Sequence, residues 1–216
     1  MKNKDLAVTN YKTFCSHEGS QFIASEFALE IILDLIVKFN VKSILELGLG
    51  IGSISDTVLQ FSKINKHEIS YFGTEKNEFC LKALKDYVAD YNRIELYPEL
   101  SQIKNKKFDL IIIDGSDNAL KDIVEYCKEN TIVFIEGDRG DQTQTVLELF
   151  PKHKYVHIIS LNRNKPYAHV DTCHSNSYVG GGKLIFINPT LAMNLFWMKE
   201  KLANFVKGKQ RKYHIK

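Results

Sequence analysis

VKSILELGLGIGS, residues Val41 to Ser53, decides the fold. Val41, Ile44, Leu45 and Leu47 have the near-continuous apolar character of a parallel strand buried on both faces. Glu46 interrupts that run, and Gly48, Gly50 and Gly52 then alternate ahead of a helix. Glycine reaches positive φ without penalty and lets a ligand approach the backbone closely. The helix that follows points its free N–H groups into the turn. A dinucleotide fingerprint needs G-x-G-x-x-G/A. Here the third glycine arrives one residue early, and Ser53 stands where Gly or Ala is required. Glu46, two residues before Gly48, disfavours a pyrophosphate and favours a ligand that carries positive charge. A glycine-rich turn with no ligand is the plain alternative, and three glycines beside an acid weigh against it.

Outward from this stretch the chain alternates apolar strands and amphipathic helices. Residues 1–20 are polar and read as irregular. Phe22 to Phe39 has Phe22, Ile23, Phe27, Ile31, Leu35 and Ile36 near one helical face. Ile54–Phe61 reads as a helix and Ile69–Gly73 as the second strand, which ends at Thr74-Glu75. Glu75 lies about 23 residues past Gly52, near the place of a ribose-binding acid in nucleotide folds. Its alternative reading is a first-turn Glu favoured by the next helix dipole. Asn77–Tyr91 is an amphipathic helix and Ile94–Tyr97 a short strand. Phe108–Asp114 (FDLIIID) is the clearest buried strand, and its end points at the ligand crevice of an open sheet. A helix over Leu120–Glu129, a strand over Thr131–Glu136 and a helix over Thr143–Phe150 follow. Tyr155–Ser160 and Lys183–Ile187 are strands with no helix between them, which predicts a closing antiparallel hairpin. On the irregular stretch 165–182, His169, Asp171 and Cys173 alternate and share one side if extended. Zinc is the weaker reading of this cluster, because structural zinc sites come with paired cysteines; a substrate-facing loop is preferred.

The totals suit one α/β domain over 1–216: 216 residues, 44% hydrophobic and 25% charged. A net charge of +3 does not call for a nucleic-acid partner. No apolar run reaches the length of a membrane span, and MKNKDLAVTN lacks the apolar stretch of a secretory signal. Four scattered cysteines without CxxC spacing predict reduced thiols and a cytoplasmic protein.

The E-x-G-x-G-x-G pattern at Glu46–Gly52 resembles the nucleotide-side motif of class I S-adenosylmethionine (SAM) dependent methyltransferases. The resemblance runs from about Phe22 to Pro189. It implies a Rossmann-like, doubly wound, mostly parallel sheet with a C-terminal antiparallel hairpin. Residues 1–40 become an N-terminal helical cover over the cofactor, near which His17 and Glu18 would lie. Residues 190–216 form a C-terminal helix and basic tail. SAM is the implied cofactor, held by Glu46, Gly48, Gly50, Gly52, Ser53, Glu75 and Asp114. Within the class, FDLIIIDGSDNALKDI looks like macrocin-type small-molecule and sugar O-methyltransferases. Some of these bind a divalent cation through the strand-end aspartate and a later acidic pair. In Glu136-Gly137-Asp138 a glycine splits that pair, so the reading without metal is preferred, although Asp114, Glu136 and Asp138 offer oxygen ligands for Mg²⁺.

The implied activity is methylation of a hydroxyl on a small molecule or sugar. Transfer from a sulfonium depends on in-line alignment, and an alcohol must also lose a proton. Asp114, Asp117 and His169 are the candidate catalytic groups. RNA methylation, suggested only by the basic tail, and a non-catalytic SAM-binding scaffold are the alternatives. In the last helix, read over Thr190–Val206, Leu191, Leu195, Met198 and Leu202 share one face. Packing of that face on the domain is the default. Phe196, Trp197 and Phe205 widen the apolar surface toward a homodimer contact anchored by Trp197. A membrane-surface role ranks last, because Glu200, Asn194 and Asn204 dilute the cationic face.

Overall fold

The computed structural model describes residues 2–116, 119–165 and 177–213. Seven strands form one sheet: β1 (Ser43–Leu47), β2 (Ser70–Thr74), β3 (Ile94–Tyr97), β4 (Phe108–Ile113), β5 (Cys127–Glu136), β6 (Lys154–Ile158) and β7 (Gly182–Phe186). Their order is β3-β2-β1-β4-β5-β7-β6. β1 runs parallel to β2 and β4, and β2 to β3 and β4 to β5 are parallel as well. β7 runs antiparallel to both β5 and β6, so the expected closing hairpin is present. Chain order reverses between β1 and β4, and ligand crevices of open α/β sheets form at such a switch.

The apolar strands alternate between two cores, as a period of two requires. Ile44, Leu110 and Ile112 pack into one layer, and Leu45, Ile111 and Ile113 into the other. The first layer is covered by α1 (Asn3–Cys15), α2 (Glu26–Phe39) and α3 (Ser53–Asn65). α4 (Glu78–Tyr87) adds Leu84 to that layer, and α5 (Gly140–Leu149) sends Val146 into the second. A last helix, α6 (Leu191–Tyr213), contributes Met193 to the first.

The structure departs from the sequence reading in three places. Residues 3–15 are helical, not irregular: Leu6, Ala7, Asn10, Tyr11 and Phe14 form the buried stripe of α1. One of its inward positions is polar, and that hides the period. Asn10 is satisfied there by donating to the Thr57 hydroxyl at 2.7 Å. The expected helix over 120–129 is a seven-residue 3-10 segment, Leu120–Tyr126. β5 begins at Cys127, ahead of the apolar run, because Lys128 and Glu129 are exposed at its start.

The third departure is in α6. Leu191, Leu195, Met198 and Leu202 do not pack on the domain; all four are exposed. The helix instead turns Phe196 and Trp197 inward, while Phe205 stays exposed. Phe196 meets Phe39 and Phe186 at ring separations of 5.5 and 6.0 Å. Trp197 Nε1 donates to the Tyr155 carbonyl at 2.8 Å, which ties this partly buried ring to its own domain. Two overlapping apolar stripes compete on this helix. The bulkier one fills the gap beside the edge strand.

Candidate active site

The turn after β1 gives its three glycines different tasks. Gly48, Gly50 and Gly52 all have positive φ. A Cβ on Gly48 would lie 2.4 Å from Gly115 Cα, so the ends of β1 and β4 touch backbone to backbone. A Cβ on Gly52 would strike Val88 and Leu84, which follow from α4, so this glycine serves packing. A Cβ on Gly50 would meet nothing within 4 Å. Gly50 faces the open crevice.

Glu75, beyond the end of β2, braces this turn. Its Oε2 accepts from Gly50 N at 2.8 Å, and its Oε1 accepts from Lys76 N and Asn77 N at 2.9 and 2.8 Å. A carboxylate offers about four acceptor directions. Three are used, and one remains for a ligand hydroxyl. Asn77, rather than Glu75, caps α4, accepting from Cys80 N.

Two cavities meet at this point. One, of about 360 Å³, is lined by Gly50, Ser53, Asn77 and Asp114 together with Glu18 and Phe22 from the N-terminal cover. The other, of about 420 Å³, is lined by Gly48, Glu75, Pro98, Glu99, Gly115 and Ser116. Gly48, Gly50, Ser53, Glu75 and Asp114 are thus brought together. Gly52 and Glu46 line neither cavity. Glu46 is fully buried on β1, where Tyr71 donates to one carboxylate oxygen and the other has no partner. Burial, against the pull of the Tyr71 hydrogen bond, pushes its carboxyl well above the usual range, and Asp114 and Glu75 push it further. His17 stacks on Tyr87 at 4.0 Å, while its neighbour Glu18 reaches the first cavity. Asp117 and His169 lie outside the described residues, as do Asp171, Cys173 and His174.

A carboxylate pair stands at the ends of β4 and β5. The Asp114 and Glu136 side chains lie close enough for each to influence the other's ionisation. Arg139 approaches Asp114 Oδ1 at 3.2 Å, also donates to the Asp114 carbonyl, and reaches the Glu136 carbonyl from Nε at 3.1 Å. Burial, and then the Glu136 charge, raise the Asp114 carboxyl well above its ordinary value despite Arg139. Burial raises Glu136 too. Two carboxyls this close oppose each other's ionisation, so both hold their protons more tightly than exposed acids do. Sequence reasoning missed Arg139, which follows an acidic turn and carries no motif. Asp138 does not join the pair. It is exposed and bound to Lys183 at 2.9 Å. Among the described residues, no group of three or more His, Cys, Asp or Glu is arranged to hold a metal ion.

No family model matches the chain, and no curated protein matches it in sequence. Solved structures match its backbone. The SAH-bound methyltransferase of Podospora anserina aligns with a TM-score of 0.55 at 14% identity, covering 85% of this chain and 87% of that one. The tRNA (m1A58) methyltransferase of Aquifex aeolicus gives 0.55 at 15% identity, covering 82% and 74%. The precorrin-6y C5,15-methyltransferase of Geobacter metallireducens gives 0.50 at 13%, covering 77% and 91%. At these identities the likeness speaks for architecture, and the chain has the Rossmann-like fold of class I methyltransferases.

Proposed function

We propose that this protein is a SAM-dependent methyltransferase that acts on a hydroxyl of a small molecule or sugar. The observation that carries the proposal is the crevice at Gly50. An open glycine at the switch point lies within 2.8 Å of a carboxylate that keeps one free acceptor direction. Glu75 and the second cavity suit the ribose and base of the cofactor. Gly50, Ser53 and Asp114 suit its amino-acid end. Glu46 then acts only through its field, from beneath the turn.

Bound SAM supplies an electrophilic methyl group on a sulfonium. The chain's own residues would align the acceptor and take its proton. Asp114 lines the cavity, and its partnership with Glu136 places its proton affinity nearer neutrality than an exposed aspartate. Held by Gly50, Ser53 and Glu75, SAM would supply its methyl group to the acceptor oxygen. The hydroxyl proton passes to Asp114. Arg139 orients the pair by holding the backbone carbonyls of both acids.

A small acceptor is favoured over RNA by charge. Among the described residues the first cavity is lined by Glu18 and Asp114 and by no lysine or arginine. Phosphates bring negative charge that such a lining repels.

The test combines calorimetry with an acceptor screen using labelled SAM. Gly50→Asn keeps the left-handed backbone accessible and fills the crevice. SAM affinity should fall at least about tenfold, roughly 1.4 kcal/mol, with the melting temperature retained. Wild type that fails to bind SAM overturns the proposal. Binding without turnover across hydroxyl acceptors returns the protein to the scaffold reading.

A further inference from the structure

α6 carries an apolar strip that its own domain does not cover. Leu191, Leu195, Met198, Leu202, Phe205 and Val206 are between 46% and 76% exposed. The first five recur at spacings of four and three, one face of a helix. The strip runs about 21 Å along it.

Charge is sorted around this strip. Lys199 stands on one flank and Lys201 on the other, with Lys209 and Lys212 toward the C-terminal end; all four are exposed. Two of the residues that dilute the charge in the linear sequence, Asn204 and Glu200, are turned inward. Asn204 is buried, accepting from Ile159 N at 2.7 Å, and Glu200 takes the Asn204 amide at its carbonyl. Arg211 also faces the body, where it donates to the Ser160 carbonyl. The outward face therefore presents apolar side chains and cations, and no acid.

We propose that α6 docks this face on an anionic lipid surface. The strip would enter the headgroup and acyl boundary, and the flanking ammonium groups would stay at the phosphates. Two features oppose the other occupants. A second copy would bring more lysines to the same flanks and no acid to pair with them. A protein partner is usually gripped by Trp, Tyr or Arg anchors. Here the only Trp of the chain is partly buried against its own domain, bonded to the Tyr155 carbonyl, and the strip is Leu, Met, Val and one Phe. No described helix is long and apolar enough to cross a membrane, so the contact is one of surface docking.

Vesicle co-sedimentation of the full chain tests this. Phosphatidylcholine vesicles containing about one-third phosphatidylglycerol should pellet the protein, and phosphatidylcholine alone should not. Raising ionic strength from about 0.1 M to about 1 M cuts the screening length from about 10 Å to about 3 Å and should weaken the binding. Leu195→Glu with Leu202→Glu should reduce it about tenfold or more. Lys199→Glu with Lys201→Glu, which leaves the strip intact, should do the same. Far-UV circular dichroism should be unchanged in both variants, because every altered side chain is exposed. Protein that stays in solution with anionic vesicles overturns the proposal. So does a wild-type dimer in light scattering that Leu202→Glu dissociates, which would assign the strip to a second copy.

Discussion

At the scale of single residues, the buried carboxyl of Glu46 makes a sharp prediction. Its folded-state proton affinity is raised by burial above that of the unfolded chain. Between those two ranges the folded state binds the extra proton, so stability falls as pH rises. Glu46→Gln removes this titration while leaving an oxygen for the Tyr71 hydroxyl. Urea unfolding over a pH series should show the wild type losing stability relative to Glu46→Gln from the ordinary carboxylate range upward. Parallel curves would mean that Glu46 stays charged and is compensated. The sequence announced Glu46 and the glycines through their spacing. It could not divide the labour among them. Whether a Cβ at Gly48, Gly50 or Gly52 meets backbone, side chain or open space depends on Gly115, Leu84 and Val88, all distant in sequence. Arg139 and the mutual influence of Asp114 and Glu136 were hidden for the same reason.

At the scale of elements, strands were legible where both faces are apolar, as in FDLIIID. They blurred where exposed polar residues interrupt the start of a strand, as at Lys128 and Glu129 in β5. α1 was missed because Asn10, in the middle of its buried stripe, breaks the apolar period. The end of the central strands away from the crevice holds a junction that periodicity does not show. Asp109 Oδ2 accepts from Lys42 N, Ser43 N and the Ser43 hydroxyl, each at 3.0 Å, while Oδ1 takes Lys128 Nζ at 2.7 Å. Burial alone would raise this carboxyl, but the Lys128 ammonium, the Lys42 amide and the Ser43 hydroxyl outweigh it and hold it low. Asp109→Ala should cost about 1–3 kcal/mol in urea unfolding, with the denaturant slope unchanged. A depressed acid contributes above its unfolded range and loses that contribution as pH falls through its folded range. The gap between wild type and variant should therefore close on acidification. A gap that stays constant with pH would assign the effect to packing.

At the scale of the molecule, α6 closes the edge layer through a few inward groups. Trp197 is the chain's only tryptophan. Lys154 and Lys201 sit over its ring at 5.0 and 4.8 Å. Trp197→Phe keeps an aromatic ring but removes the bond to the Tyr155 carbonyl, about 0.5–1.5 kcal/mol, together with part of the indole's packing. Trp197→Ala should cost more, about 2–3 kcal/mol, below the range for a fully buried Trp because the ring is partly exposed. Thermal melts rank the two. Equal destabilisation would show that the hydrogen bond, not the ring, holds the helix.

The contact of Gly48 with Gly115 has a consequence for descent. Each position forbids a side chain because of the other's backbone, since a Cβ on Gly115 would in turn lie 2.7 Å from Gly48 Cα. Neither can change first, and changing both makes the clash worse unless β1 and β4 part at the crevice. Any relative that preserves this crevice should therefore carry glycine at both positions. Library selection for folded variants should recover neither substitution, singly or together.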